Sequence, residues 1–223
     1  MTTAANTSGL ALTRSAWAVM SGWRPIWAMP LDRCVVYKSS DSFDAWRPMS
    51  ETREVLGRDL VEAAVLRGSF LLRSGARSSY YIDKYLFTTR PDLLRRIADQ
   101  LAVRLPAGVQ RVAGPVLGAI PLVTALSLAT ELPMLIVRVE KPKEYGTAKQ
   151  IEGEFLAGEK VVIVEDVVTT GGAALGTVET LRKAGLEVLA ALGVVDREQG
   201  GAAAFAAAGV PYQALFRKSE LGL

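Results

Sequence analysis

The chain has 223 residues, half of them hydrophobic, and its 26 Lys and Arg against 23 Asp and Glu leave a net charge of +3. That length and apolar content suit a globular domain with a sizeable core, while so small a charge, spread without any basic run, argues against nucleic acid as a partner. There is no histidine, which excludes His-based acid/base catalysis, His-dependent nucleophile triads and zinc sites with His ligands.

Residues 1–48 show no sustained helix or strand period, carry Trp17, Trp23, Trp27 and Trp46, and hold the single cysteine, Cys34. One cysteine allows no intrachain disulfide and agrees with a reducing, cytoplasmic setting. Arg14 and Arg24 interrupt any compact apolar core of a secretory signal. The segment reads as an N-terminal extension ahead of a domain spanning 49–223. It is either a targeting arm or interaction tail, or a disordered extension before a natural start at Met49.

From Ser50 the pattern becomes regular. Glu51 to Arg67 places Leu56, Leu60, Ala63 and Ala64 on one face, which predicts an amphipathic helix stopped by Gly68. Phe70 to Arg73 and Ser79 to Asp83 predict a hairpin, and Pro91 opens a helix to about Leu105. Strands follow at Arg111–Ala113, Met134–Val139, Val161–Val164 and Val188–Val195. Helices are expected at Ala119–Thr130, Ala173–Ala184 and Ala202–Ala208, with a polar stretch from Glu140 to Gly158. Apolar strands alternating with helices predict an α/β fold whose parallel sheet is covered on both faces. No apolar stretch reaches the length of a membrane span.

The strand Val161–Val164 runs into Glu165 and Asp166, and then into Val167, Val168, Thr169, Thr170, Gly171, Gly172 and Ala173. In open parallel sheets ligands bind beyond the carboxyl ends of strands. Two glycines let backbone N–H groups approach an anion, and the following helix turns its partly positive N-terminus toward it. The hydroxyls of Thr169 and Thr170 can donate to phosphate oxygens. Glu165 and Asp166 would repel that phosphate. They suit the hydroxyls of a sugar diol, and can also help to hold Mg²⁺.

This contiguous pattern resembles the phosphoribosyl pyrophosphate (PRPP) signature of type I phosphoribosyltransferases. The resemblance implies an α/β, type I phosphoribosyltransferase-like fold: a central, mostly parallel sheet flanked by helices, with a small hood subdomain from about 50–85 plus the C-terminal segment. It implies that Glu165 and Asp166 bind the ribose hydroxyls of PRPP, that Val167, Val168 and Ala173 also line the PRPP site, that Thr169 to Gly172 hold its 5-phosphate, and that Mg²⁺ is the cofactor.

Further segments resemble the orotate-using branch of the family. Arg73, ahead of Ser74-Gly75, stands where that branch usually has Lys, and Tyr80 and Tyr81 match its aromatic pair. With Thr169 and Arg197 these are the implied orotate-binding residues, Arg197 meeting the substrate carboxylate. Lys141 to Thr147, with Ile151-Glu152-Gly153, resembles the mobile catalytic loop. Arg138, Lys141, Lys143 and Tyr145 are its implied PRPP contacts, Tyr145 standing where a His is usual. Lys141, Lys143 and Asp166 are the implied catalytic residues. Gly114 to Pro121 resembles the pyrophosphate loop, with Gly118 where many relatives have Lys, which leaves backbone amides as ligands. The resemblance further implies a homodimer that shares the 140–153 loop between subunits, with orotate and PRPP as substrates and neither nucleic acid nor membrane as partner. A purine-type phosphoribosyltransferase and a non-catalytic, PRPP-sensing regulator are the alternative readings.

Overall fold

The computed structural model describes residues 52–71, 75, 77–138 and 149–223. The N-terminal extension, Arg73 and the loop residues Lys141, Lys143 and Tyr145 lie outside the described residues.

Helix α1 (Arg53–Ala64) leads directly into a hairpin of β1 (Val65–Leu71) and β2 (Arg77–Ile82). The helix was expected to reach Arg67 but ends at Ala64. Its buried stripe of Leu56, Leu60 and Ala64 is complete there, and Val65 already pairs with Ile82 in the hairpin. Gly68, expected as the helix stop, instead lies in β1, where the register slips between Arg67 and Phe70.

Helices α2 (Lys84–Thr88) and α3 (Pro91–Ala102) follow. Helix α2 is not apparent in the sequence, because one and a half turns are too short for a hydrophobic period to declare itself. It is set by a cap and an anchor: the Asp83 carboxylate accepts from the Tyr85 N–H at 3.0 Å, and Phe87 is fully buried. The stripe of Leu93, Ile97 and Leu101 turns α3 onto the same core.

The rest of the chain is β3 (Arg111–Pro115), α4 (Ile120–Thr130), β4 (Met134–Val137), β5 (Ile151–Glu152), β6 (Lys160–Val168), α5 (Gly172–Lys183), β7 (Glu187–Asp196), α6 (Gly201–Ala207) and β8 (Tyr212–Arg217). The strands form one sheet in the order β5-β4-β3-β6-β7-β8. Every pairing is parallel except that of β4 with β5. Successive side chains of a strand face opposite sides, and β6 shows this directly. Val162 and Val164 join a core with Leu56, Leu93 and Leu122, whereas Val161 and Ile163 join one with Val178, Leu181 and Phe205. Each fully buried side chain of this size contributes about 1.5–3 kcal/mol relative to exposure, so β6 is gripped from both faces.

Two strands differ from expectation in ways that matter for the site. β6 was expected to stop at Val164, but it continues to Val168, because β7 extends the ladder alongside it as far as Asp196. Glu165 and Asp166 therefore lie inside the strand rather than after it. β8, not anticipated, adds an edge to the main sheet beside β7. After it, the turn Ser219–Leu221 reaches back to α1, where a Cβ on Gly57 would stand 3.0 Å from Phe216 and 3.4 Å from Leu221. No helix among the described residues is long and apolar enough to cross a membrane.

Candidate active site

The carboxyl ends of β3, β6 and β7 carry the loops that build the site. Those after β6 and β7 are tied to each other by the backbone: Arg197 N–H donates to Val168 O at 2.8 Å, and Gly201 N–H donates to Thr169 O at 3.0 Å. Glycine is required at position 201 by this close approach, since a Cβ there would stand 2.5 Å from Val168 Cγ1 and 2.8 Å from Thr169 O. Gly171, at φ 81, turns the chain from β6 into α5 in a conformation that favours glycine. Thr170, Gly172 and Ala173 at the head of α5 are exposed. Backbone N–H groups of the first helical turn are thus presented to solvent at the positive end of a 12-residue helix, an arrangement suited to phosphate.

Beside this cradle lie the two acids, both buried. Asp166 Oδ1 accepts from the Val167 N–H at 2.6 Å, and its Oδ2 is 2.9 Å from Lys84 Nζ. Glu165 Oε2 is buried and has no hydrogen-bond donor among the described residues. Burial and then the neighbouring Asp166 push the Glu165 carboxyl up to about 8, against a smaller opposing pull from Lys84. Burial acts to lower the Lys84 ammonium, but Asp166 and Glu165 outweigh it, and it ends above its ordinary value. A buried acid without a donor suits the hydroxyls of a sugar, which bring donors with them.

Lys84 was not among the residues singled out from the sequence. Its neighbours Asp83 and Tyr85 mark a helix cap, and nothing in the spacing connects it to Asp166. In space it comes in from α2 over Gly118. An ideal Cβ at 118 would lie 1.8 Å from Asp166 Oδ2, 2.5 Å from Lys84 Nζ and 2.8 Å from Lys84 Cε. Without a side chain of its own, the loop after β3 leaves its space to that ion pair.

The candidate base-binding residues divide. Tyr80 meets Arg197 across the site, the guanidinium carbon lying 5.7 Å from the ring centroid. Tyr81, next along β2, faces the other way and packs on Phe70 at 5.7 Å. Arg197 Nε is buried without a hydrogen-bond partner among the described residues. The turn that presents Arg197 is rigidly held: Asp196 Oδ1 accepts from Glu198 N–H at 2.7 Å, and the Glu198 carboxylate accepts from Ser219 N–H and Oγ–H at 2.9 Å. Arg138, at the end of β4, is 3.6 Å from Glu152.

No group of three or more His, Cys, Asp or Glu side chains that could hold a metal occurs among the described residues. A closed protein cage for a cation is therefore absent there. A pair of acids, one of them lacking a donor, does fit Mg²⁺, which commonly binds through one or two carboxylates together with substrate phosphates.

A mostly parallel sheet with buried paired acids, a Thr/Gly turn and an open helix N-terminus defines a sugar-phosphate transferase, and the phosphoribosyl transferase domain family matches residues 91–204. The chain belongs to that family and has the type I fold. Within the family it stands with the orotate phosphoribosyltransferases. That of Methanocella arvoryzae is 48% identical over 158 residues, which are 71% of this chain and 90% of that one. A Mycobacterium tuberculosis orotate phosphoribosyltransferase, crystallised in complex with PRPP, has a TM-score of 0.63 and 32% identity over 77% of this chain and 99% of that one. An adenine phosphoribosyltransferase from Leishmania tarentolae, at 18% identity and a TM-score of 0.55 over 73% of this chain and 87% of that one, shares the fold alone.

Proposed function

We propose that this chain transfers the ribose 5-phosphate unit of PRPP to orotate, giving orotidine 5′-phosphate and pyrophosphate in de novo pyrimidine (UMP) synthesis. The observation that carries this reading is the buried acid pair of β6 set against the cradle at the head of α5, with Arg197 and Tyr80 beside it. Curated relatives 48% identical, all orotate phosphoribosyltransferases, support orotate over a purine base.

In the reaction the bond from anomeric C1 to the pyrophosphate oxygen breaks, and its electron pair leaves with pyrophosphate. N1 of orotate bonds to C1 and its proton is released. Glu165 and Asp166 accept hydrogen bonds from the ribose diol and stabilise the positive charge that develops on the ring. Thr169, Thr170 and the N–H groups at the head of α5 hold the 5-phosphate. Arg197 pairs with the orotate carboxylate, in the bidentate geometry that guanidinium favours, and Tyr80 supports it from behind. Lys141 and Lys143, with Arg138 and Tyr145, act on the pyrophosphate. Glu165 and Asp166, with the phosphates of PRPP, would hold Mg²⁺, which would supply charge neutralisation to the leaving group.

Charge on the leaving group grows only as the bond breaks, so Lys143 serves rate more than affinity. The chain works in the cytoplasm as a homodimer sharing the 140–153 loop, with α1, the hairpin and the C-terminal turn as its hood. The test is loss of orotate ultraviolet absorbance dependent on PRPP and Mg²⁺, on the full chain and on a form beginning at Met49. Consumption of adenine, hypoxanthine or xanthine without orotate would overturn the choice of base. Unchanged turnover in Lys143→Ala would remove the assignment of that lysine.

A further inference from the structure

Asp166 is among the most enclosed charged groups of the protein, its side chain only 2% exposed, yet its partner comes from neither neighbouring strand. The partner is Lys84, on a helix beyond the hairpin, at 2.9 Å. Three features hold that ammonium in place. The Asp83 cap starts α2 at this residue. Phe87, three positions on and therefore on the same side of the helix, is fully buried and anchors it. The bare Cα of Gly118 leaves the volume that the Lys84 terminus and the Asp166 carboxylate occupy together.

We propose that Lys84 is a positioning residue for PRPP: set over Gly118, it holds the Asp166 carboxylate facing the ribose pocket and balances its charge as the polyanionic substrate arrives. This rests on the reading of the acids as the ribose-binding pair. Asp166 is held at both oxygens, by a hydrogen bond from the Val167 N–H on one and by the ion pair with Lys84 on the other. With Lys84 removed, one hold is gone, and the buried Asp166 carboxylate confronts the phosphates of PRPP without a nearby counter-charge. The Lys84 side chain is about a third exposed, so its charge is open to the arriving substrate. Orotate, recognised at Arg197 and Tyr80, is not touched by this device.

The test uses the full chain with Lys84→Met and Lys84→Arg. Lys84→Met should raise KM for PRPP about 10- to 100-fold, the loss of one charge-assisted contact to the site, and leave KM for orotate within about threefold. Lys84→Arg, which restores the charge, should recover most of the loss. In an Asp166→Asn background the Lys84→Met effect should shrink toward none, because the two side chains act as one unit. An unchanged KM for PRPP in Lys84→Met overturns the proposal. So does an equal rise in both KM values that Lys84→Arg fails to rescue, since that is the signature of general structural damage. If the wild-type chain consumes no orotate but binds PRPP by calorimetry, only the choice of base falls, and PRPP affinity in Lys84→Met decides the role of Lys84. A wild-type chain that binds no PRPP overturns both.

Discussion

A methyl group added at position 118 would stand 1.8 Å from Asp166 Oδ2. Of the groups it meets, Lys84 can move, being the end of a flexible and partly exposed side chain. Asp166 has little freedom: it is buried within β6, and its other oxygen is held by Val167 N–H at 2.6 Å. In Gly118→Ala the carboxylate must therefore retreat from 1.8 Å to the 3.4 Å of an ordinary contact, which takes it away from the proposed ribose hydroxyls. One lost hydrogen bond to a charged acceptor is worth about 1.5–3 kcal/mol, so KM for PRPP should rise about 10- to 100-fold. Overpacking should itself cost about 1–3 kcal/mol of stability, a fall in Tm of several degrees in a chain of this size. Orotate affinity is the internal control, because the proposed base-binding pair comes from elsewhere, Tyr80 from β2 and Arg197 from the turn after β7. The measurements are calorimetric titration with PRPP and Mg²⁺, steady-state kinetics in both substrates, and a melting curve. A folded Gly118→Ala protein that binds PRPP as tightly as wild type would show that the Asp166 oxygen beside Gly118 does not face the ribose.

Three further outcomes are expected. Glu165 has its carboxyl raised to about 8 by burial and by Asp166, so the folded chain keeps a proton that the unfolded chain releases above its ordinary value of 4.5. The contribution of this group to stability is full below that ordinary value and is lost as pH rises through about 8; Glu165→Gln should therefore raise Tm more at about pH 9 than at about pH 5, and an equal shift at both would contradict the assignment. Gly201→Ala drives a methyl into Val168 and the Thr169 carbonyl. It should displace the phosphate loop and weaken PRPP binding at least about tenfold, whereas unaltered affinity for inorganic phosphate and PRPP would mean that the loop does not hold the 5-phosphate. Arg197→Lys keeps the charge but loses the planar fork, and should raise KM for orotate about 10- to 100-fold with PRPP affinity little changed; a wild-type KM for orotate would place its carboxylate elsewhere.

Much of this architecture is legible in the sequence. The alternation of apolar strands with helices from Arg111 onward marked a parallel α/β sheet, and the segment Val161–Gly172 marked the ligand end of a central strand. Helix α1 was misjudged at its end because the apolar residues after Ala64 continue a pattern that a helix would also accept. β6 was cut short because two adjacent acids look like the end of a strand. Only the ladder with β7 as far as Asp196 carries the strand on past them. β8 was missed because its burial alternates irregularly and its place at the edge depends on β7 being there to pair with it.

The local chain by itself determined the helix stripes, the Pro-led start of α3, the glycine turn at 171 and the order of elements, because each of these is set by contacts within a few residues. Tertiary structure alone decided that Lys84 meets Asp166 over Gly118, that Tyr80 rather than Tyr81 faces Arg197, and that Gly201 must be bare beside Thr169. These pairings join side chains far apart in the chain, and they exist only once the strand order brings the ends of β3, β6 and β7 to one edge of the sheet.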